Sequence, residues 1–180
     1  KTKLFARLAG IISPEAILAS NTSALKISEL AESASAPDQV IGMHFFNPVP
    51  AMKLVELVKI PATSPQTFEL ARQFVLKLGK EPVTVNQSPG FIVNRLLIPM
   101  INEAAWLFGD QVASSEDIDK AMQLGANHPL GPLALADLIG LDVCLAIMET
   151  LQAQLKSAKY QPAPALLKLV QEGKLGKKTG

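Results

Sequence analysis

A histidine and a glutamate stand in neighbouring apolar segments of this sequence, at a spacing that can serve proton transfer. The stretch GMHFFNPVPAMKLVELV, residues 42–58, contains His44, a double-proline elbow and Glu56. The residues on each side of the elbow are typical of β-strands, whose side chains alternate between two faces. Counting by twos places Glu56 on the same face as Leu54 and Val58. A carboxylate on such a face needs a partner, because burying an unpaired charge costs several kcal/mol.

His44, at the end of the preceding strand, can be that partner. A glutamate bonded to one imidazole nitrogen fixes the tautomer, stabilises the imidazolium and leaves the other nitrogen to take a proton. The pattern therefore predicts a histidine base with an orienting carboxylate. The periodicity fits another interpretation about equally well, in which Glu56 faces solvent on an edge strand and His44 bonds only to backbone.

Three further polar positions adjoin apolar segments. The sequence SNTS, residues 20–23, follows a short apolar run, at the kind of strand end where α/β sheets bind ligands. An ordinary polar turn is the simpler interpretation of that sequence. Asn94 lies among apolar residues in FIVNRLL, so its amide needs either a structural partner or a substrate carbonyl. Asn47 precedes Pro48 and can cap its own elbow.

No spacing of histidines and cysteines supports a metal site. His128 lies in a Gly- and Pro-rich connection and is expected to be structural, whereas Cys144, the single cysteine, is expected to be inert core. One cysteine excludes an intrachain disulfide and favours a reducing compartment. The sequence also lacks a G-x-G-x-x-G motif, so it contains no glycine loop for a pyrophosphate.

The composition is that of an apolar globular chain. Its 180 residues are 48% hydrophobic and 18% charged, which allows one large or two small domains and predicts extensive burial or an oligomer interface. The net charge of +1 gives no indication of nucleic acid or of an anionic membrane as a partner. The most apolar segment, residues 91–108, is interrupted by polar and charged residues and predicts a buried helix, with no membrane span.

Helices and strands alternate over the first half of the sequence. Leu4, Phe5 and Leu8 have helical spacing, Ser28 is positioned to cap a short helix, and a further helix is predicted from Ser64-Pro65 to a cap at Gly79. The apolar runs predict strands at residues 16–19, 40–46, 54–60 and 82–85. This alternation is typical of a layered α/β unit.

From Gln87 onward only helices are predicted. The change of pattern places a domain boundary near residues 87–89, and the fold class is α/β followed by all-α, with domains at residues 1–87 and 88–180. The first predicted helix is residues 91–108, with a kink at Pro99. The second runs from Ser114, with Asp117 in capping-box spacing, to Gly125. A third leads through HPLGPLALADLIGLD to about residue 151, and the last is residues 163–172.

Five blocks of the sequence together resemble the L-3-hydroxyacyl-CoA dehydrogenase family, in particular its short bacterial 3-hydroxybutyryl-CoA dehydrogenases. The blocks are ASNTSALKI, GMHFFNPVPAMKLVELV, SPGFIVNRLLIP, EDIDKAMQLGANHPLGPLALADLIGLD and GKLGKKTG. The resemblance implies that residues 1–87 are the C-terminal portion of a Rossmann-type NAD-binding domain and that residues 88–180 are a helical dimerisation domain. Because the glycine loop of the family is missing, we expect the chain to be part of a longer polypeptide and incomplete for activity by itself.

The resemblance also implies roles for individual residues. His44 matches the catalytic base and Glu56 its orienting partner. Ser23 is similar to the serine that hydrogen-bonds the substrate hydroxyl, and Asn94 to the asparagine that helps to hold the substrate and the transition state. The family's contacts to NAD fall on Lys1, Ser23, Asn47 and Lys178.

The implied reaction is the reversible oxidation of an L-3-hydroxyacyl-CoA to a 3-ketoacyl-CoA, with His44 taking the hydroxyl proton. The implied partners are the acyl-CoA substrate and a second copy of the chain in a homodimer, and the implied setting is fatty acid β-oxidation in a bacterial cytoplasm. One alternative is a non-catalytic module for dimerisation and acyl-CoA binding, and another is a related hydroxyacid dehydrogenase with a different carrier. The presence of Ser23, His44, Glu56 and Asn94 together favours the enzyme, because a module without chemistry does not need them all.

Overall fold

The computed structural model describes residues 1–8, 10–23 and 25–180, which divide into two compact units, Lys1–Phe91 and Ile92–Gly180. The first unit contains strands and helices, and the described residues of the second unit contain helices without strands. The predicted order of α/β followed by all-α is therefore confirmed. The domain boundary at 87/88 stays a prediction.

A four-stranded sheet in the order β1-β2-β3-β4 forms the centre of the first unit. Strands β1 and β2 are parallel, β2 and β3 antiparallel, and β3 and β4 parallel. All four predicted strands are present with slightly shifted ends. Their bounds are Leu18–Ser20 for β1, Val40–Phe45 for β2, Leu54–Lys59 for β3 and Glu81–Asn86 for β4.

Helices cover both faces of this sheet. The helices are α1 (Thr2–Leu8), α2 (Ile27–Glu32) and α3 (Pro65–Lys77), and a short 3₁₀ turn spans Pro37–Gln39. Val40 and Val58 point to one face and pack in one apolar cluster with α1 and α2, whereas Ile41 and Leu57 point to the other face and pack in a second cluster with α3. This division follows from the alternation of strand side chains, which predicts the face of Glu56 as well.

Gly42 of β2 lies between Val58 of the neighbouring strand and Ile27 of α2. A Cβ atom at this position would lie 2.8 Å from the Val58 Cβ and 3.1 Å from side-chain atoms of Ile27. Glycine therefore allows close packing here, since a larger residue would clash with Val58 of β3 and press on Ile27 of α2.

The helix caps predicted from the sequence are present at α3 and absent at α2. The Ser64 hydroxyl accepts from the Thr67 backbone N–H at the start of α3, and Gly79 follows the end of that helix with φ +71°, as the sequence predicts. The prediction that Ser28 caps α2 is wrong: the N-cap residue is Lys26, which makes no side-chain cap hydrogen bond. The Ser28 N–H instead donates to the Gln87 Oε1, 2.8 Å away. A side chain distant in sequence thus replaces the local cap.

Five helices form the second unit. They are α4 (Val93–Gly109), α5 (Ser115–Ala126), α6 (Pro132–Ile139), α7 (Leu141–Leu155) and α8 (Pro164–Gln171), with a 3₁₀ turn at Ala158–Tyr160. Ser114 caps α5 by accepting from the Asp117 N–H, as predicted. Pro99 lies inside α4, and the kink there stays a prediction.

Two predicted features of these helices are wrong. Gly125 does not end α5, because Asn127 takes the left-handed conformation at φ 56° and forms the C-cap, a conformation that asparagine tolerates better than most residues. The single helix expected to run to about residue 151 is two helices, α6 and α7. Gly140 separates them with φ +105°, a backbone conformation outside the helical region that glycine adopts without a steric penalty.

One apolar core joins α4, α6, α7 and α8 of the second unit. Ile98 and Ile101 of α4, Met148 and Leu151 of α7 and Leu166 of α8 are fully or almost fully buried in it. Within the described residues, no helix is both long enough and apolar enough to cross a membrane.

Candidate active site

His44 and Glu56 are directly opposite each other on the antiparallel strands β2 and β3. Opposite residues of an antiparallel pair project from the same face with their Cβ atoms about 5 Å apart, so their side chains meet. The Glu56 Oε2 lies 2.7 Å from the His44 Nδ1. The register of the strand pair therefore produces the contact, in which the carboxylate accepts a hydrogen bond from the Nδ1–H.

Both partners are buried. His44 is 5% exposed and Glu56 is 0% exposed. The alternative of a solvent-facing glutamate on an edge strand is wrong, because β3 is an inner strand between β2 and β4. In such surroundings a charged hydrogen bond is strong and poorly screened.

Ser23 completes a chain of three side chains. Its Oγ lies 2.8 Å from the His44 Nε2, the ring nitrogen on the side away from Glu56. With Nδ1 donating to Glu56, the Nε2 is an acceptor and the serine hydroxyl donates to it. Ser23 is exposed whereas His44 is buried, so the chain Glu56–His44–Ser23 runs from the core to the surface.

The SNTS segment after β1 is held against the sheet by its own side chains. The Asn21 Oδ1 accepts from the Phe45 backbone N–H at 2.9 Å, which ties the segment to the end of β2. The Thr22 Oγ1 accepts from the Leu25 N–H at 3.1 Å. These contacts position Ser23, and the SNTS segment delivers the Ser23 hydroxyl to the histidine.

Two aromatic rings enclose the imidazole. The ring centroids of Phe46 and Phe91 lie 4.7 and 5.3 Å from that of His44, and both meet it edge-on. Sequence reasoning missed this enclosure. Phe46 is two residues from His44 in the sequence, but nothing in the sequence indicates that Phe91, at the end of the first unit, lies at the same place.

Lys1 and Asn47, two of the residues expected to contact NAD, lie at the same end of the sheet as Ser23. The Lys1 Nζ donates to the Ser20 Oγ at 3.4 Å, at the carboxyl end of β1. Asn47 is exposed in the elbow that follows β2. The carboxyl ends of parallel strands are where open α/β sheets bind their ligands, so exposed polar groups at this place fit a dinucleotide.

The remaining predicted residues belong to the second unit. Asn94 is in the first turn of α4 and is partly buried. The Lys178 Nζ donates to the Asp142 Oδ1 in the first turn of α7, and this hydrogen bond lowers the pKa of the Asp142 carboxyl. The structure therefore gives Lys178 an acidic partner that the sequence did not indicate. The roles of Asn94 and Lys178 stay predictions.

Cys144 is buried in the core of the second unit. Burial, with the Asp142 carboxylate as a smaller cause, raises the pKa of its thiol to about 11. The expectation of an inert core cysteine fits this environment. Among the described residues, no group of histidine, cysteine and acidic side chains has the arrangement of a metal site.

Comparison with known families accounts for both units. Residues 1–88 match the NAD binding domain of 3-hydroxyacyl-CoA dehydrogenase, and residues 90–180 match the C-terminal domain of the same family. The chain belongs to the 3-hydroxyacyl-CoA dehydrogenase family. Residues 1–88 are thus of the family's NAD-binding type, as the resemblance implied.

Individual relatives are similar over the full chain. A 3-hydroxybutyryl-CoA dehydrogenase of Clostridioides difficile is 54% identical over 179 residues, 99% of this chain and 64% of the relative. The mitochondrial hydroxyacyl-coenzyme A dehydrogenase of Homo sapiens is 49% identical over 181 residues, 100% of this chain and 58% of the relative. The crystal structure of (S)-3-hydroxybutyryl-CoA dehydrogenase from Ralstonia eutropha matches with a TM-score of 0.96 at 51% identity, covering 99% of this chain and 63% of that one. The chain thus spans less than two thirds of the length of these relatives.

Proposed function

We propose that the protein containing this chain is an NAD-dependent L-3-hydroxyacyl-CoA dehydrogenase that acts on short-chain substrates such as 3-hydroxybutyryl-CoA. The observation that carries the proposal is the buried Glu56–His44 pair, in which the second imidazole nitrogen, Nε2, faces the exposed Ser23 hydroxyl. Membership of the family, and the names of relatives about half identical to the chain, support the substrate class.

His44 acts as the base in this proposal. Its Nε2 accepts the proton of the substrate 3-hydroxyl during oxidation, and in the reverse direction the imidazolium returns a proton to the oxygen at C3. A base with this task must be accessible at one nitrogen and fixed at the other, and the two hydrogen bonds of His44 have this arrangement. Ser23 donates a hydrogen bond to the histidine here and is positioned to bond the substrate hydroxyl instead.

Glu56 makes the proton transfer favourable without itself taking the proton. It holds His44 in the tautomer with the proton on Nδ1, and it stabilises the imidazolium once Nε2 has accepted a second proton. Phe46 and Phe91 limit the access of water to the ring, which strengthens the interaction between the two charges.

NAD supplies the hydride acceptor for C3 when it is bound. We propose that Ser23, Asn47, Lys1 and Lys178 contribute to holding it, because the first three present polar groups at the ligand-binding end of the sheet. We propose that Asn94 holds the substrate through its side-chain amide.

A homodimer through the helical unit belongs to the same proposal. Several large apolar side chains of that unit are exposed, and exposed apolar patches commonly mark interaction surfaces. They include Leu96, Val112, Leu124 and Leu138, which are 57–78% exposed. Similarity to bacterial relatives and the free thiol of Cys144 support a bacterial cytoplasmic location. Membership of the family supports a role in fatty acid β-oxidation.

The test is NADH oxidation by the full-length protein in the presence of acetoacetyl-CoA. Free acetoacetate and acetoacetyl-pantetheine are tested separately as alternative substrates. We expect turnover with acetoacetyl-CoA and a loss of roughly two to four orders of magnitude in His44→Gln, since general acid–base catalysis contributes about this much. His128→Gln, at the other histidine of the chain, is the matched control and should keep wild-type turnover.

Two results would contradict the proposal. Turnover of His44→Gln at the wild-type rate would show that the histidine is not the base. A full-length protein that reduces acetoacetyl-pantetheine or free acetoacetate and leaves acetoacetyl-CoA unchanged would indicate a related dehydrogenase whose substrate is not a CoA ester.

A further inference from the structure

The loop between β2 and β3, residues 46–53, connects the strand of His44 to the strand of Glu56, and we call it the elbow. Residues 47–53 of the elbow are exposed, so burial contributes little to its conformation. Inside the elbow, the Pro48 carbonyl accepts from the backbone N–H groups of Ala51 and Met52 at 3.0 and 3.1 Å. An exposed loop with so few internal contacts needs an external support to hold one conformation.

Lys80 supplies such a support. Its Nζ donates to the Val49 carbonyl at 2.6 Å and to the Met52 carbonyl at 2.8 Å, on the two sides of the elbow turn. Both are charge-assisted hydrogen bonds, which are shorter and stronger than bonds between neutral groups. One ammonium group therefore bonds two separate points of the elbow.

The backbone of Lys80 is itself firmly held. Its N–H donates to the Val75 carbonyl at the end of α3, and the N–H of Glu81, the first residue of β4, donates to the Lys53 carbonyl. Gly79, with φ +71°, makes the sharp turn that directs the chain from α3 into β4. The ammonium thus anchors the elbow to the sheet through a segment that is fixed at both ends.

The elbow begins with residues that matter to the site. Phe46 packs edge-on against the His44 ring, and Asn47 is one of the proposed NAD contacts. We infer that Lys80 is a positioning residue, which fixes the elbow so that Phe46 and Asn47 stand correctly at the entrance to His44. The inference rests on the proposed function for its effect on catalysis, whereas the anchoring itself is a property of the fold.

The test compares Lys80→Met with Lys80→Arg and with Lys77→Met in the full-length protein. Methionine keeps the apolar stem of lysine and lacks only the terminal ammonium with its donors, whereas arginine keeps donors. Lys77 is exposed in the last turn of α3 and makes no side-chain hydrogen bond within the described residues, so it is the matched control.

We expect the Michaelis constant for NADH to rise about five- to tenfold in Lys80→Met. This is about the effect of losing one strong hydrogen bond that holds the elbow in its binding conformation. Turnover should fall less than the affinity for NADH, because the strand register that joins His44 to Glu56 stays in place and only Phe46 is loosened. Lys80→Arg should restore most of the affinity for NADH. The thermal midpoint should change little, since the two freed carbonyls are exposed and can bond to water.

Amide hydrogen exchange gives a readout that does not depend on activity. The amides of Ala51 and Met52 should exchange faster in Lys80→Met, and they should keep the wild-type rate in Lys77→Met. Unchanged exchange in Lys80→Met would overturn the anchoring. Faster exchange with an unchanged Michaelis constant for NADH would overturn the role in positioning.

The two proposals can fail separately. A wild-type protein with no dehydrogenase activity would refute the proposed function, while the exchange rates would still decide whether Lys80 anchors the elbow. If Lys80→Met does not fold, Lys80→Leu also removes the donors and gives the same comparison.

Discussion

Replacing Glu56 with glutamine tests the link between the buried pair and proton transfer. The substitution keeps the size of a side chain that is 0% exposed, so it adds no cavity and removes only the negative charge. The amide can still meet the His44 Nδ1, which lies 2.7 Å from the glutamate oxygen. If its NH₂ group turns to the ring, Nδ1 becomes the acceptor, the proton moves to Nε2, and the base is lost.

The expected loss of turnover follows from the removal of the negative charge beside the imidazolium. Two unit charges about 4 Å apart interact by about 4 kcal/mol at an effective dielectric constant of about 20. Because each ~1.4 kcal/mol in the barrier is a factor of about ten in rate, turnover should fall by roughly three orders of magnitude. Substrate binding should stay within about twofold of wild type, since Glu56 is buried behind the histidine and acts through it.

The assay is single-turnover and steady-state oxidation of NADH by acetoacetyl-CoA in the full-length protein. Glu69→Gln is the matched control: this glutamate is half-exposed, pairs with Arg72 at 2.7 Å, and should be replaceable without loss of turnover. A thermal melt of each variant separates a loss of chemistry from a loss of folding. Glu56→Gln that folds and turns over at the wild-type rate would refute the assigned role.

Two further predictions concern stability and reactivity. Gly42→Ala should destabilise the protein by about 1–3 kcal/mol in chemical denaturation, because the new methyl would lie 2.8 Å from the Val58 Cβ. Gly125→Ala, where no atom lies within 4 Å of the new methyl, should be neutral or slightly stabilising, and equal stability of the two variants would contradict the packing argument. Cys144 should react with iodoacetamide at pH 8 roughly one hundred times more slowly than an unfolded thiol, because its pKa is raised from an ordinary 9.0 to about 11. Rapid labelling of the folded protein at pH 8 would disprove the burial of Cys144. As the pH rises, the unfolded chain releases the thiol proton of Cys144 first, so the contribution of Cys144 to stability is present below pH 9.0 and is lost as the pH rises towards about 11.

Strand periodicity was enough to identify Glu56 as unusual, but it did not determine whether Glu56 meets His44. Alternation depends on residues next to each other, so the face of Glu56 could be predicted from the sequence. The pairing with His44 depends on the register of β2 against β3, and an elbow of unspecified conformation leaves that register open. The apolar environment of both faces of β3 then decided that the glutamate is buried.

Signals within a few residues of a helix end were reliable where the partner is local. The caps at Ser64 and Ser114, and the turn at Gly79, follow from hydrogen bonds that span three or four residues. The start of α2 was wrong because its partner is Gln87, which is 59 residues away. No local pattern predicts a partner at that distance.

The sequence by itself determined the types of secondary structure, the order of α/β and all-α units, and the side chains able to do acid–base chemistry, because these depend on composition and short-range spacing. The tertiary structure decided which of those side chains meet. The contact of Ser23 with His44, the enclosure of the ring by Phe91, and the bonds from Lys80 to the elbow all join segments that are distant along the chain. Such contacts form only when packing of the two apolar clusters has brought strands, loops and helices to one place, and that packing is a property of the whole unit.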